Sequence, residues 1–365
     1  VRIEEFGKIQ RNCLVGLEPE YVRLSSLTVA ENQSVRLESL TYKSDGPSPA
    51  NQLRFNLLHR SHDARSQNLG RHPQNLPELE IVPIEISLLL PDFFFILLGL
   101  IVGSFLNVCI ARLPADKSVV LPNSRCPKCD KAIHPYDNIP VVSYLLLRGK
   151  CRFCKEPISW QYPAVEVLTA LIFWATYAFL GFQLKTAVLL VFFSAIIVLI
   201  FIDLQHRILP DVITLRGTVV GLLFSLLAPV EDGTGKFLSR LMGFPIGHPI
   251  LLSFLDSLIG ALVCGGFLWG VAEIYYRIRK IEGLGFGDIK LMGMVGAFLG
   301  VRLALLTIML GSFMGAVIGL VYIKFAGKDS QYELPFGSFL GVAAIIAALR
   351  GAQVIGQYTS LFRAL

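Results

Sequence analysis

Residues 88–111 read LLLPDFFFILLGLIVGSFLNVCIA, and the fold is decided by what this stretch can do. Asp92 is its one charged residue, and roughly 20 apolar residues carry a helix across the hydrocarbon core of a bilayer. The stretch is long enough to span. Working outward, seven further apolar runs follow, at about 164–182, 186–202, 212–229, 250–273, 289–301, 303–323 and 336–350. The chain is therefore expected to be an all-α polytopic membrane protein with about eight transmembrane helices. Its sixth run is short and contains Gly293, Gly296 and Gly300, so it is expected to be tilted or joined tightly to the seventh, because small residues let helix backbones approach closely. The whole chain of 365 residues is 53% hydrophobic and 16% charged, with a mean hydropathy of +0.60. That balance argues against an ordinary soluble domain.

Residues 1–80 are of a different kind, rich in Asn, Ser, Gln and Arg, without an apolar run of spanning length. They are expected to be a disordered or non-native N-terminal extension. Ten Lys and Arg balance ten Asp and Glu there, so the segment is neither a basic nucleic-acid arm nor an acidic tail. It also lacks the layout of a signal peptide.

Cytoplasmic loops of membrane proteins carry an excess of Lys and Arg. The loop after the first span has nine of them against four acids over residues 112–160. It should face the cytoplasm. Alternation then places 203–211 and 274–288 on the same side, and Arg277, Arg279 and Lys280 agree with that independently. The N-terminus and the 230–249 loop fall outside.

With sidedness set, the acidic residues near the membrane can be sorted, because an ionisable group at membrane depth is costly and faces a cavity or a partner. Asp203 ends the third span, and Asp288 opens the sixth within Gly285-Phe286-Gly287-Asp288. Both sit at the cytoplasmic boundary. Two carboxylates held close together cannot both ionise readily, so one can serve as general base on a water while the other, protonated, polarises a peptide carbonyl. Gly285 and Gly287 would let a substrate strand approach. Residue chemistry alone leaves a plainer account standing, with Asp203 a solvated interfacial charge and Asp288 a helix N-cap. Asp211, a good N-cap for the fourth span, is the second choice as a catalytic residue. Asp256 lies in the outer half of the fifth span, on the wrong face.

Cys126-Pro127-Lys128-Cys129 and Cys151-Arg152-Phe153-Cys154 form two Cys-x-x-Cys pairs 21 residues apart. That is close to the spacing of zinc knuckles, where two turns each offer two thiolates and four sulfurs close a structural site. A reducing cytoplasm keeps such thiols available. Two disulfides or a redox pair are the alternatives. The scattered Cys13, Cys109 and Cys264 read as packing groups.

Taken in order, these features resemble the bacterial prepilin leader peptidase family, over residues 97–348. The resemblance is carried by Gly99 to Asn107, Arg112-Leu113-Pro114, both cysteine pairs, Asn138-Ile139-Pro140 and Arg148-Gly149-Lys150-Cys151. Tyr162-Pro163-Ala164-Val165-Glu166, Asp203 with Leu209-Pro210-Asp211, Gly285 to Leu291 and Pro335-Phe336-Gly337 complete it. The resemblance implies eight spans in a bacterial inner membrane, with Asp203 and Asp288 as catalytic aspartates facing the cytoplasm. It implies cleavage of the leader of type IV prepilins or type II secretion pseudopilins, then N-methylation of the new N-terminus with S-adenosylmethionine as donor. The four cysteines match a zinc-binding loop, and Gly149 matches a glycine associated with methyl transfer. Glu166 is a further candidate for the methyl-donor site, or else an interfacial carboxylate salt-bridged to the basic loop. No Gly-rich cofactor loop of Rossmann type is visible, so the methyl transfer rests on resemblance. The expected domains are the cytoplasmic loop 112–163, the peptidase core 164–350 and a C-terminal tail 351–365. Expected partners are prepilin or pseudopilin substrates and membrane lipid, with no nucleic acid. Two other readings stand beside this one: a peptidase without methyl transfer, against which the cysteine loop argues, and a zinc-stabilised transporter or scaffold using membrane carboxylates for ions.

Overall fold

The computed structural model describes residues 27–30, 34–37, 82–121, 124–126, 128–230, 232–243, 247–281, 283–326 and 335–364. The chain divides into two compact units, Val1–Leu76 and Pro77–Leu365. In the first, strands β1 (Leu27–Ala30) and β2 (Ser34–Leu37) pair antiparallel, with Leu27 opposite Leu37 and Ala30 opposite Ser34. Within the expected extension these two strands are described, and their Val, Leu and Thr suit a ladder. The rest of that expectation, and Cys13, lie outside the described residues.

The second unit is helical. Its elements are α1 (Val82–Arg112), α2 (Val142–Leu146), α3 (Gln161–Leu180), α4 (Leu184–His206), α5 (Asp211–Phe224), α6 (Thr234–Leu241), α7 (Pro249–Arg279), α8 (Phe286–Ala326) and α9 (Phe336–Ala364). Six of them, α1, α3, α4, α7, α8 and α9, are long and apolar enough to cross a membrane. Eight expected runs thus become six such helices among the described residues, for two reasons. The run at 212–229 forms only α5, which ends at Phe224 and is followed by turns. At 1.5 Å per residue a 14-residue helix reaches about 21 Å, short of a 30 Å core. The sixth and seventh runs are two helices joined across Gly300, as their glycines suggested. Within the expected tail 351–365, α9 continues to Ala364.

Gly300 adopts φ 78°, ψ 178°, a backbone conformation that side chains rarely allow. The break leaves a helix start inside α8, and Asp232 attends it: its carboxylate accepts the Arg302 N–H at 3.0 Å. Asp256 has a related task. It is buried and accepts the N–H groups of Gly233 and Gly235 at the start of α6, at 3.2 and 2.5 Å. Orphan N–H donors at a helix start need such partners. Asp256 is a cap at the other end of the bundle from Asp203 and Asp288.

The core runs through α4, α8 and α9, with Phe192, Phe193, Ile196, Ile197, Met292 and Leu340 fully or nearly fully buried. Cys109 and Cys264 are buried there as packing groups. Helices α7 and α8 meet backbone to backbone at Gly260 and Gly296, where a side chain on either glycine would run into the other's carbonyl. The Ser257 hydroxyl donates to Ala297 O beside that contact, at 2.5 Å. Gly296→Val is expected to force the pair apart at a cost of about 1–3 kcal/mol. Thermal unfolding of the detergent-solubilised variant checks this, and an unchanged midpoint would show that the close contact does not exist.

Candidate active site

Asp203 lies in the last turn of α4, where Arg207, the left-handed cap, donates its N–H to Asp203 O at 2.8 Å. Asp288 lies in the first turn of α8. Both side chains are buried, with 5% and 8% of the residue exposed. A methyl group on Gly337 would lie 2.9 Å from Asp288 Oδ1 and 3.2 Å from Asp203 Oδ2, so those oxygens stand no more than the sum of these distances, about 6.1 Å, apart. A water bonded to both oxygens needs them within about 5.6 Å, the reach of two O–H···O bonds of about 2.8 Å, and that separation lies inside this bound.

The two carboxylates are not equivalent. Asp203 Oδ2 accepts two bonds from Ser338 in the first turn of α9, from its N–H at 2.6 Å and its hydroxyl at 2.7 Å. A helix N-terminus adds favourable partial positive charge. Asp288 has a single backbone donor, the Gly285 N–H, and no side-chain donor among the described residues. Ser338 is the residue that sequence reasoning missed. The signal was its position just after Pro335-Phe336-Gly337, at the start of an apolar run.

Asp211 is paired with a lysine. Its oxygens both lie 2.7 Å from Lys290 Nζ, and its side chain is 56% exposed. The expected N-cap role is corrected: Pro210 is the cap and Asp211 the first helical residue. There an acidic side chain favours the helix dipole.

The four loop cysteines converge. Their sulfurs all lie within 4.8 Å of one another, and Cys126 Sγ to Cys154 Sγ is 3.8 Å. None is in a disulfide. Four Zn–S bonds of about 2.3 Å in a tetrahedron put sulfurs about 3.8 Å apart, so the cluster has the dimensions of a tetrathiolate metal site. Each Cys-x-x-Cys turn is closed in the same way. Asp130 N–H donates to Cys126 O and Cys126 N–H to Lys131 O, at 2.9 and 3.0 Å. Lys155 N–H donates to Cys151 O and Cys151 N–H to Glu156 O, at 3.1 and 2.8 Å. Asp130 and Lys155 both take positive φ, completing two matching knuckles. Hydrogen bonds from the backbone N–H groups of Cys154 and Phe153 hold the Cys151 thiol down to about 6, which favours the thiolate a metal needs.

Between this loop, the C-terminal half of α1 and the start of α3 lies a cavity of about 510 Å³. Glu166 lines it, buried, and accepts the Val141 N–H at 2.7 Å. Gly149 does not line it; at φ 64° it donates its N–H to Tyr144 O at 2.8 Å, and its Cα faces the Tyr144 ring, which does. Its part is in the turn that leads into Cys151.

A multi-pass helical membrane protein with two carboxylates buried together near one end, and a four-cysteine cluster on a loop, is the class these features define. The Bacterial Peptidase A24 N-terminal domain model matches residues 97–180, and the Type IV leader peptidase family model matches 190–320. A prepilin leader peptidase/N-methyltransferase of Pseudomonas aeruginosa is 35% identical over 289 residues, covering 72% of this chain and 91% of that protein. The protein of the same name from Stutzerimonas stutzeri is 34% identical over 294 residues, covering 73% and 93%. That from Aeromonas hydrophila is 34% identical over 306 residues, covering 76% and 98%. No solved structure matches the chain. The chain belongs to the type IV leader peptidase family.

The cysteine geometry predicts about one metal ion per chain. Elemental analysis of purified protein checks it, and Cys126→Ser should lower both metal content and the unfolding temperature. Metal-free protein with paired cysteines would sink the assignment.

Proposed function

We propose that this protein cleaves the leader from type IV prepilins or type II secretion pseudopilins at the cytoplasmic face of a bacterial inner membrane, and then N-methylates the new N-terminus. The observation that carries the reading is the burial of Asp203 and Asp288 side by side around Gly337. The relatives' names supply the substrate and the two reactions. Sidedness is supported by the basic residues: Arg112 ends α1, and Arg277 and Arg279 end α7.

The unequal hydrogen bonding divides the roles. Asp203, with two donors from Ser338, carries the negative charge, and the proton of the pair rests on Asp288. Asp203 takes a proton from the bridging water as that water attacks the scissile carbonyl carbon, and Asp288 gives its proton to the carbonyl oxygen. Collapse of the tetrahedral intermediate breaks the C–N bond; the departing amine takes up the proton held by Asp203, and Asp288 recovers its own. Gly337 keeps the space between the carboxylates open for the peptide. A prepilin is itself a membrane helix with a basic leader, so its scissile bond reaches this boundary where water is available. Asp211 acts with Lys290 to tie α5 to α8.

Zinc is the metal that the tetrathiolate cluster suits, held by Cys126, Cys129, Cys151 and Cys154 as a closed structural site. S-adenosylmethionine is the methyl donor proposed for the second reaction. The cavity beside the cysteine loop suits a ligand of that size. Arg112, Lys128 and Lys131 could hold a carboxylate there, and Tyr144, Phe153 and Tyr162 a planar ring. Gly149 serves this site through the Tyr144 ring and the Cys151 turn.

Asp203→Asn and Asp288→Asn should each cut leader cleavage by about 10²-fold or more while the protein still inserts. Intact-mass measurement of a co-expressed prepilin reads this, and normal processing by either variant would refute the dyad. Asp211→Asn should retain cleavage. Gly337→Ala, whose methyl would press on both carboxylates, should lose most of it.

A further inference from the structure

We infer that Glu166 is the residue that receives the free α-amino group of the cleaved substrate, in a cavity distinct from the Asp203–Asp288 site. This rests on the two-step reading above and gives its second step a residue. Among the described residues, the cavity is lined wholly from positions 104–166, on α1, the cysteine loop and the start of α3, whereas the aspartates lie on α4 and α8. The new N-terminus must therefore travel between two sites.

Glu166 is 7% exposed and lines that cavity. Its carboxylate is bound by the Val141 N–H, and the Ser104 hydroxyl also donates to it. A carboxylate offers about four acceptor positions, so room remains for a donor with more than one N–H. An ammonium group brings three.

The backbone around Val141 is built to hold this arrangement. Val141 sits at φ 60°, ψ −47°, and Val142 N–H donates across it to Pro140 O at 2.6 Å. That is a γ-turn of the rare, strained hand, unusual for any residue and more so for a β-branched one. Such strain persists where surrounding structure over-determines it, and it gathers at functional sites. Here it turns the Val141 N–H onto Glu166.

The charge around Glu166 is also informative. Charged neighbours in the cavity are Arg112 from α1, and Arg125, Lys128, Lys131, Asp137, Arg152 and Glu156 from the loop. The tyrosines Tyr144 and Tyr162 and the thiols Cys126 and Cys151 line it too. Asp137 is bound by Arg152 at 2.5 Å, which holds its carboxyl below the usual carboxylate range, and Glu156 lies 3.7 Å from Lys128. Arg125 pairs with Asp130. The two other carboxylates thus have cations of their own, while the partners named for Glu166 are a neutral N–H and a hydroxyl. A cationic ligand group is drawn to Glu166.

The chemistry requires such a group. S-adenosylmethionine, when bound, supplies a sulfonium methyl: the amine lone pair forms the new N–C bond as the S–C bond breaks and a neutral thioether departs. An α-ammonium has no lone pair, so Glu166 must take one proton from it first. The product is an N-methylammonium with no lone pair left, so the proton on Glu166 passes to water.

The test separates binding from turnover. A peptide with the mature N-terminal sequence, with a free amine or N-acetylated, is titrated onto the full chain in nanodiscs without methyl donor. Wild type should favour the free amine by about tenfold, Glu166→Gln should abolish the preference, and Glu166→Asp should keep part of it. With donor and prepilin added, Glu166→Gln should still remove the leader but leave the product unmethylated at neutral pH. Methylation should recover as pH rises past about 8, where an α-amino group loses its proton unaided. Retained amine preference in Glu166→Gln, or methylation lost equally at every pH, overturns the inference. Loss of leader cleavage together with methylation in both variants would mark Glu166 as a strut and overturn it as well. Wild type that cleaves but never methylates would instead defeat the two-step reading, and the peptide preference would still report on Glu166.

Discussion

The bonds from Ser338 to Asp203 are the contact on which the candidate peptidase site depends. Removing an ionised carboxylate from water costs several kcal/mol, while a hydrogen bond to a charged group contributes about 1.5–3 kcal/mol. Two such bonds at 2.6 and 2.7 Å offset much of that cost for Asp203. They also fix where the helices go. Asp203 can be satisfied only if the start of α9 reaches the end of α4, 135 residues earlier in the chain. Gly337 then falls against Asp288, which brings α8 into the same place.

At the opposite end of the bundle the same physical demand is met for structural ends. Asp232 and Asp256 are buried carboxylates that serve backbone N–H groups left without helical partners, one at the Gly300 break and one at the start of α6. The difference from Asp203 and Asp288 lies in company. Asp203 also accepts an N–H at a helix start, from Ser338, but it and Asp288 lie on either side of one glycine, whereas each outer aspartate has no such carboxylate beside it among the described residues. Burial of a carboxylate is therefore not enough to suggest chemistry; the arrangement of its neighbours is.

The cysteine loop is a small fold organised by its metal-site geometry. Two matching knuckles leave Cys126, Cys129, Cys151 and Cys154 facing one another, and the segment between them carries the 3₁₀ turn at Pro135–Asn138 and the strained Val141. That segment closes over α1 and α3, with Glu166 as its anchor. Loop and spans thereby share one cavity, although the loop itself is polar and the spans are apolar.

Much of this was legible in the sequence. Hydrophobic run length determined a helical membrane protein, because a bilayer permits few other ways to satisfy a spanning backbone. The basic residues gave an expected sidedness, and Cys-x-x-Cys spacing pointed to the cysteine cluster, since both signals are local. Asp203 and Asp288 could be shortlisted from their shared boundary. What only the tertiary structure decided involves partners far apart in the chain. It joined the sixth and seventh runs across Gly300 and left α5 short. It gave Ser338 to Asp203, Lys290 to Asp211 and Val141 to Glu166. Periodicity and spacing report which face of a segment is apolar, but a hydrogen bond between residues 135 apart depends on how whole helices pack. The carboxylate pair could be named from the sequence, whereas its asymmetry came from the fold.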